Sequence, residues 1–153
     1  MEEMSPQFIK ILIAGALFVH GLAHARAFGA LLAQSLGFFT KSWVPVRSWL
    51  FPSLAAPLPS AVAGIFWLLS AAGFLAASLS VWRIFVPGDT WRQLAIASAI
   101  ISILGTTFFS GIWPGSPGVR RSAFNTAIAS TMDAAVLVTL LWLRWPSETM
   151  FGK

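Results

Sequence analysis

Apolar residues gather in four long runs, and the breaks between them carry proline, glycine and most of the charge. A helix needs about 20 mostly apolar residues to cross a hydrocarbon core of about 30 Å. The runs at residues 8–32, 61–82, 93–113 and 124–145 meet that length. Between the second and third lies Val86-Pro87-Gly88-Asp89-Thr90, and between the third and fourth Pro114-Gly115-Ser116-Pro117-Gly118. Both are helix-stopping turns, short enough to make the helices they join antiparallel. The first connection is longer, with Pro45, Pro52, Pro57 and Pro59 among Trp43, Trp49, Leu50 and Phe51. Such a segment is too broken to span and predicts an interfacial cover over one mouth of the bundle. The expectation is an all-α, integral membrane four-helix bundle, up-down-up-down, forming one transmembrane domain over residues 1–153.

Composition supports this reading. Of 153 residues, 57% are hydrophobic and 10% charged, against roughly 25% charged in soluble domains. The mean hydropathy is +0.78. The net charge of +5 comes from singly scattered basic residues, which form no stripe for nucleic acid, so the predicted partner is lipid. The absence of cysteine removes disulfides and thiolate chemistry. The acidic opening Glu2-Glu3 predicts that the first run is retained as a span, although Ala23-His24-Ala25 and Ala25-Arg26-Ala27 look like cleavage sites. Lysine and arginine divide five against five between the two sides, so the positive-inside rule gives no orientation. A multi-pass protein of the cell membrane is expected.

The polar residues inside the spans carry the candidate chemistry. An ionisable group at mid-membrane costs at least about 2.5–3.5 kcal/mol, so each asks for a reason. His20 and His24 share one face of the first span by their i, i+4 spacing. Asp133 sits mid-way along the fourth, at the depth of His20 if the first and last helices are neighbours. Toward the first connection, Trp67, Thr106, Thr107, Ser110, Asn125, Thr126 and Ser130 are placed to line a small hydrated pocket. Arg26, Arg120, Arg121, Trp82, Trp91, Trp113, Trp142 and Trp145 are expected as lipid or interface anchors, Arg26 by snorkelling or by stacking on Trp43 or Trp49. Gly21-x3-Ala25-x3-Gly29, Gly73-x3-Ala77 and Ala95-x3-Ala99 are small-x3-small patterns suited to close packing in lipid.

Several readings of the His20, His24 and Asp133 locus stay open. Two imidazoles and a carboxylate suit a metal with open positions. A haem or pigment would need axial ligands from two helices, a proton relay would need a wet path, and a structural His/Asp pair needs neither. No phosphate loop, nucleophile elbow or H-E-x-x-H is present.

Phe18-Val19-His20-Gly21-Leu22-Ala23-His24, with Gly64-Ile65-Phe66-Trp67-Leu68-Leu69 and Asn125, resembles the DoxX-like small four-helix membrane proteins of bacteria and archaea. Within them it resembles an uncharacterised group with an H-G-x-x-H segment in the first helix. The resemblance implies a four-helix membrane bundle, and for some members a link to quinone-coupled redox complexes. This chain departs from it by the Trp43 to Pro59 segment. The leading expectation is a non-enzymatic accessory or assembly subunit working with other membrane chains or a second copy. The alternative is a redox-associated binder of metal, haem, pigment or quinone at His20, His24 and Asp133, and the third a small-molecule or proton carrier.

Overall fold

In a computed structural model of the chain, four α-helices run in order: α1 (Pro6–Ser35), α2 (Leu58–Val81), α3 (Trp91–Phe108) and α4 (Val119–Leu137). A π-helical turn, Val138–Trp142, continues α4. The described residues are 5–38, 46–53, 58–109, 113, 114, 116 and 118–147, and no strand occurs among them. Lys41, Trp43, Pro45, Pro57 and Ser110 lie outside this set.

Among the described residues three helices are long and apolar enough to cross a membrane: 6–33, 58–81 and 119–142. The run expected over 93–113 forms a shorter helix of 18 residues, about 27 Å at 1.5 Å per residue. It starts early because the Pro87 turn supports it, with Thr90 Oγ1 donating to the Pro87 carbonyl at 2.7 Å. It ends early because Phe109 leaves the helical region at φ −115°, ψ 48°. The fourth run also begins sooner than expected, at Val119, just after Gly118 turns the chain with φ 74°.

Small residues set the packing of α1 on α2 and of α2 on α3. A Cβ on Gly21 would stand 2.9 Å from the Leu75 side chain and 3.1 Å from its backbone nitrogen. A Cβ on Gly105 would meet the Phe66 Cβ at 2.8 Å, and one on Gly73 the Ser98 hydroxyl at 2.0 Å. Close approach of this kind replaces the hydrophobic drive that lipid does not supply. Not every glycine in the predicted patterns serves it, because among the described residues no neighbour stands within 4 Å of a Cβ built on Gly29.

Two apolar cores result. One gathers Ala14, Leu17, Phe74, Ala77, Val81, Trp91, Ala95, Ala99 and Leu140. The other gathers Ala27, Leu31, Val46, Ala63, Trp67, Phe109, Trp113 and Ala129. α1 and α2 contribute buried residues to both cores; α3 adds Phe109, just beyond its end, to the second, and α4 reaches the first through Leu140 of the π-helical turn that continues it. Trp91 and Trp113 correct an expectation: at 6% and 7% exposed they pack inward and do not face lipid. Each has a hydrophobic partner surface to bury against, which outweighs the interfacial preference of indole. Trp82, Trp142 and Trp145 are exposed, and so are Arg120 and Arg121 in the first turn of α4.

Candidate functional site

Between the two cores each helix carries polar side chains: His20 and His24 on α1, Ser70 on α2, Ser102 on α3 and Asp133 on α4, all buried. They occupy sequence positions between the two sets of core residues on their own helices, so they form a polar layer across the bundle.

Four of the five, His20, His24, Ser102 and Asp133, are joined by a closed set of contacts. His20 Nε2 stands 2.8 Å from Asp133 Oδ1. Ser102 Oγ donates to Asp133 Oδ2 at 2.5 Å and stands 3.2 Å from His24 Nε2. The two histidine Nε2 atoms are 3.4 Å apart. An ionised carboxylate only accepts, and with Asp133 in that form His20 carries its hydrogen on Nε2 toward Oδ1. Ser102 spends its one hydrogen on Oδ2, which leaves its oxygen to accept from His24 Nε2–H. In that arrangement His24 Nδ1 carries a lone pair, and it has no partner among the described residues; neither do Trp67 Nε1 and Ser70 Oγ. Aromatic walls enclose both imidazoles: Phe74 meets His20 edge-on and stacks on His24, and Trp113 lies 5.2 Å from His24 by ring centroid.

α1 and α4 meet here through side chains. Their backbones are not closely packed, whereas α1 packs on α2, α2 on α3 and α3 on α4. The seam between α1 and α4 consequently opens on either side of the His20–Asp133 bridge. One cleft is mixed in polarity and bounded by His20, Ala23, Arg26, Trp113, Asn125 and Ile128. The other is apolar, with Ile13 and Leu17 facing Met132, Val136 and Leu140, and Trp91, Trp145 and Pro146 at its end. Each is about 170 Å³, below the roughly 300 Å³ at which pockets enclose a whole drug-sized molecule.

The expected locus of His20, His24 and Asp133 is thus assembled, with one donor atom from each within 4.8 Å of the others. The expected pocket lining is only partly so. Asn125 lines the mixed cleft and donates to Ser116 Oγ at 2.8 Å, which ties the preceding turn to α4. Trp67 is buried against Trp113. Thr106 and Thr126 bond back to carbonyls of their own helices. Thr107 is exposed and its carbonyl accepts from the Trp49 indole, so Thr107 is corrected from lining to rim. Ser130 is half-buried, and Ser110 lies outside the described residues. Arg26 borders the mixed cleft.

Ser102 is the residue that sequence reasoning missed. Its signal was present, since the depth argument that paired His20 with Asp133 places Ser102 near the same level of the third run. The chain matches no protein-family model, no curated protein and no solved structure.

Proposed function

We propose that the chain is a multi-pass, DoxX-like subunit of the cell membrane that binds a lipid-soluble cofactor with an oxygen-bearing ring head, of the quinone type, in the α1/α4 seam. The observation that carries this reading is the pair of clefts on one seam, mixed on one side of the His20–Asp133 bridge and apolar on the other. An amphiphile entering sideways from lipid would set its ring against His20 and Arg26 and run its apolar chain along the seam. The Arg26 guanidinium supplies hydrogen-bond donors for a carbonyl oxygen. With Asp133 engaged by His20 and Ser102, no ion pair to Arg26 occurs among the described residues.

An up-down-up-down path fits this reading. Along α1 and α3 the chain passes from the first apolar core to the second, and along α2 and α4 it passes back. Residues 46–53 of the first connection then lie at the Arg26 end. There Ser48 Oγ donates to the Phe108 carbonyl at 3.1 Å and Trp49 to that of Thr107.

Solvent extraction of the purified protein followed by mass spectrometry tests the proposal. A co-purifying quinone is expected, together with thermal stabilisation by a short-tailed quinone analogue. Both should be lost in Arg26→Ala and in Ile128→Trp, which fills the mixed cleft and leaves the polar layer intact. Quinone-free extracts and no stabilisation by the analogue would overturn it.

A second reading, the accessory subunit without a cofactor, is favoured by one observation. Only 17% of the apolar window of α4 is buried, against 33% in α1 and 44% in α2. Phe124, Ile128, Val138, Leu141 and Trp142 are exposed along it. A partner helix on that face would be detected by crosslinking from Phe124 or Leu141 in native membranes, and crosslinks to lipid alone would count against it.

A further inference from the structure

We propose that His20 Nε2, His24 Nε2 and Asp133 Oδ1 form a binding site for a first-row divalent metal ion, with Ser102 positioning the carboxylate. The proposal does not rest on the seam cofactor, because the donor set is complete without anything in either cleft.

A structural hydrogen-bond layer accounts for His20, Ser102 and Asp133. It does not account for His24. That ring is 1% exposed, gains one 3.2 Å contact to Ser102 and buries Nδ1 without a partner among the described residues. An apolar side chain would fill the same space without stranding a nitrogen. What His24 contributes is a second Nε2 aimed at the first. Metal–imidazole bonds of about 2.0–2.1 Å at a tetrahedral angle set two ligand nitrogens about 3.3–3.4 Å apart. The observed separation is 3.4 Å, longer than an ordinary nitrogen-to-nitrogen hydrogen bond and equal to that bite.

The third ligand is close at hand. Asp133 Oδ1 sits 2.8 Å from His20 Nε2, while the three donor atoms spread to 4.8 Å, so the carboxylate has to move about half an ångström away from His20 and more than one ångström toward His24 to reach the same bite with both. α4 has the freedom to allow this because its backbone is not packed on α1. Ser102 Oγ–H holds Oδ2, leaving Oδ1 to coordinate through one oxygen, the outer-shell support that metal carboxylates receive. Coordination uses both Nε2 lone pairs, so the ring hydrogens move to Nδ1. His24 Nδ1 then becomes a donor at the level of the unpartnered Ser70 hydroxyl.

The chemistry of the donors selects the ion. Two imidazoles and a carboxylate favour zinc or iron(II) over magnesium and calcium, which prefer all-oxygen sites, and over copper(I), which prefers sulfur. Three protein ligands leave a position open, and His20 is also a wall of the mixed cleft. A dication with one carboxylate keeps one net positive charge inside the membrane, so the open position takes an anionic oxygen from that side.

The test uses the full chain in detergent, with any affinity tag removed and metal stripped by chelator, titrated with cobalt(II). His20 and His24 are the only histidines and there is no cysteine, so visible ligand-field bands report this site. One equivalent of cobalt with tetrahedral or five-coordinate bands, displaced by zinc, is expected. His24→Leu, which keeps the His20–Asp133 bridge, should retain helical circular dichroism and a monodisperse elution while losing cobalt affinity by at least 100-fold. Ser102→Ala should weaken binding about 10-fold. Folded wild-type protein that binds no stoichiometric cobalt overturns the proposal, as does His24→Leu protein that binds like wild type. Should His24→Leu fail to fold, Ser102→Ala with unchanged affinity overturns it instead. A quinone-free protein that binds cobalt would sink the seam reading alone.

Discussion

The α2/α3 interface and the α1/α4 seam are built on opposite plans. Across the first, glycine admits the neighbouring helix so closely that a Cβ at Gly105 would stand 2.8 Å from that of Phe66. Across the second, the backbones stay apart and the longest polar side chains in the layer reach over the gap. Close-packed helices leave no room for a guest, whereas helices held by side chains leave clefts on both sides of the tie. The difference locates close packing in α1–α2–α3 and the open clefts along α4.

The largest expected effect comes from cutting the tie. Asp133→Ala strips the acceptor from His20 and from Ser102 at once, and removing one partner of a buried pair costs about 3–5 kcal/mol in soluble proteins. A membrane reference state finds substitute partners, so about 2–4 kcal/mol is expected here. The loss should be local: hydrogen exchange should accelerate along α4 and leave the amides of α2 unchanged. Uniform acceleration in all helices would break the comparison.

Gly105→Ala probes the other plan and ranks next. The Phe66 Cβ is fixed to its backbone and cannot rotate away, so overpacking of about 1–3 kcal/mol is expected. Unfolding in mixed micelles should show it, now with α2 and α3 exchanging faster together. An unchanged midpoint would mean that the two helices can separate without cost.

How far the sequence foretold these regions depends on whether a residue's role is set by its own chemistry or by its neighbours. The apolar runs foretold the helices because backbone groups in lipid must bond within their own segment. His20 and Asp133 were legible because a mid-membrane charge demands a partner at its own depth. For Ser102 the sequence offered its depth but not its role, because a serine in a helix satisfies itself equally well on its own backbone. Ser98 does so, donating to the Leu94 carbonyl at 2.7 Å, while Ser78 reaches across to the Ala14 carbonyl at 2.9 Å. Hydroxyl chemistry alone does not separate the two behaviours. Trp91 and Trp113 were misplaced for a similar reason: an indole near a span end suits the headgroup region, and only a packed neighbour turns it inward.

A smaller effect tests the closed end of the apolar cleft. Arg92 on α3 donates to the Pro146 carbonyl at 2.5 Å, fastening the segment that carries Trp145 and Pro146 over that end. Arg92→Ala removes a partly buried, charge-assisted bond and is expected to cost about 1 kcal/mol. Faster proteolysis within 143–147 should accompany it, with no change at Asp133. If the segment stays protected, packing of Trp145 holds it and the bond is incidental.

The smallest effect carries the sharpest contrast, because it is the same substitution as the second with the opposite sign. Gly29 and Gly105 are both helical glycines, and the Gly21-x3-Ala25-x3-Gly29 pattern gives Gly29 the appearance of a packing contact. Among the described residues, nothing beyond its own helix backbone and chain neighbours lies within 4 Å of a Cβ built there. Gly29→Ala therefore meets no neighbour and gains the helix preference of alanine, about 0.5–1 kcal/mol in water. Lipid lowers this gain because helix is already enforced on every residue by the lack of water, so a stabilisation of about 0.5 kcal/mol or less is expected. A destabilisation by Gly29→Ala in the same micelles would show that a helix closes on this face of α1. The boundary between packed and open surfaces would then have to be redrawn beyond His24 toward Arg26.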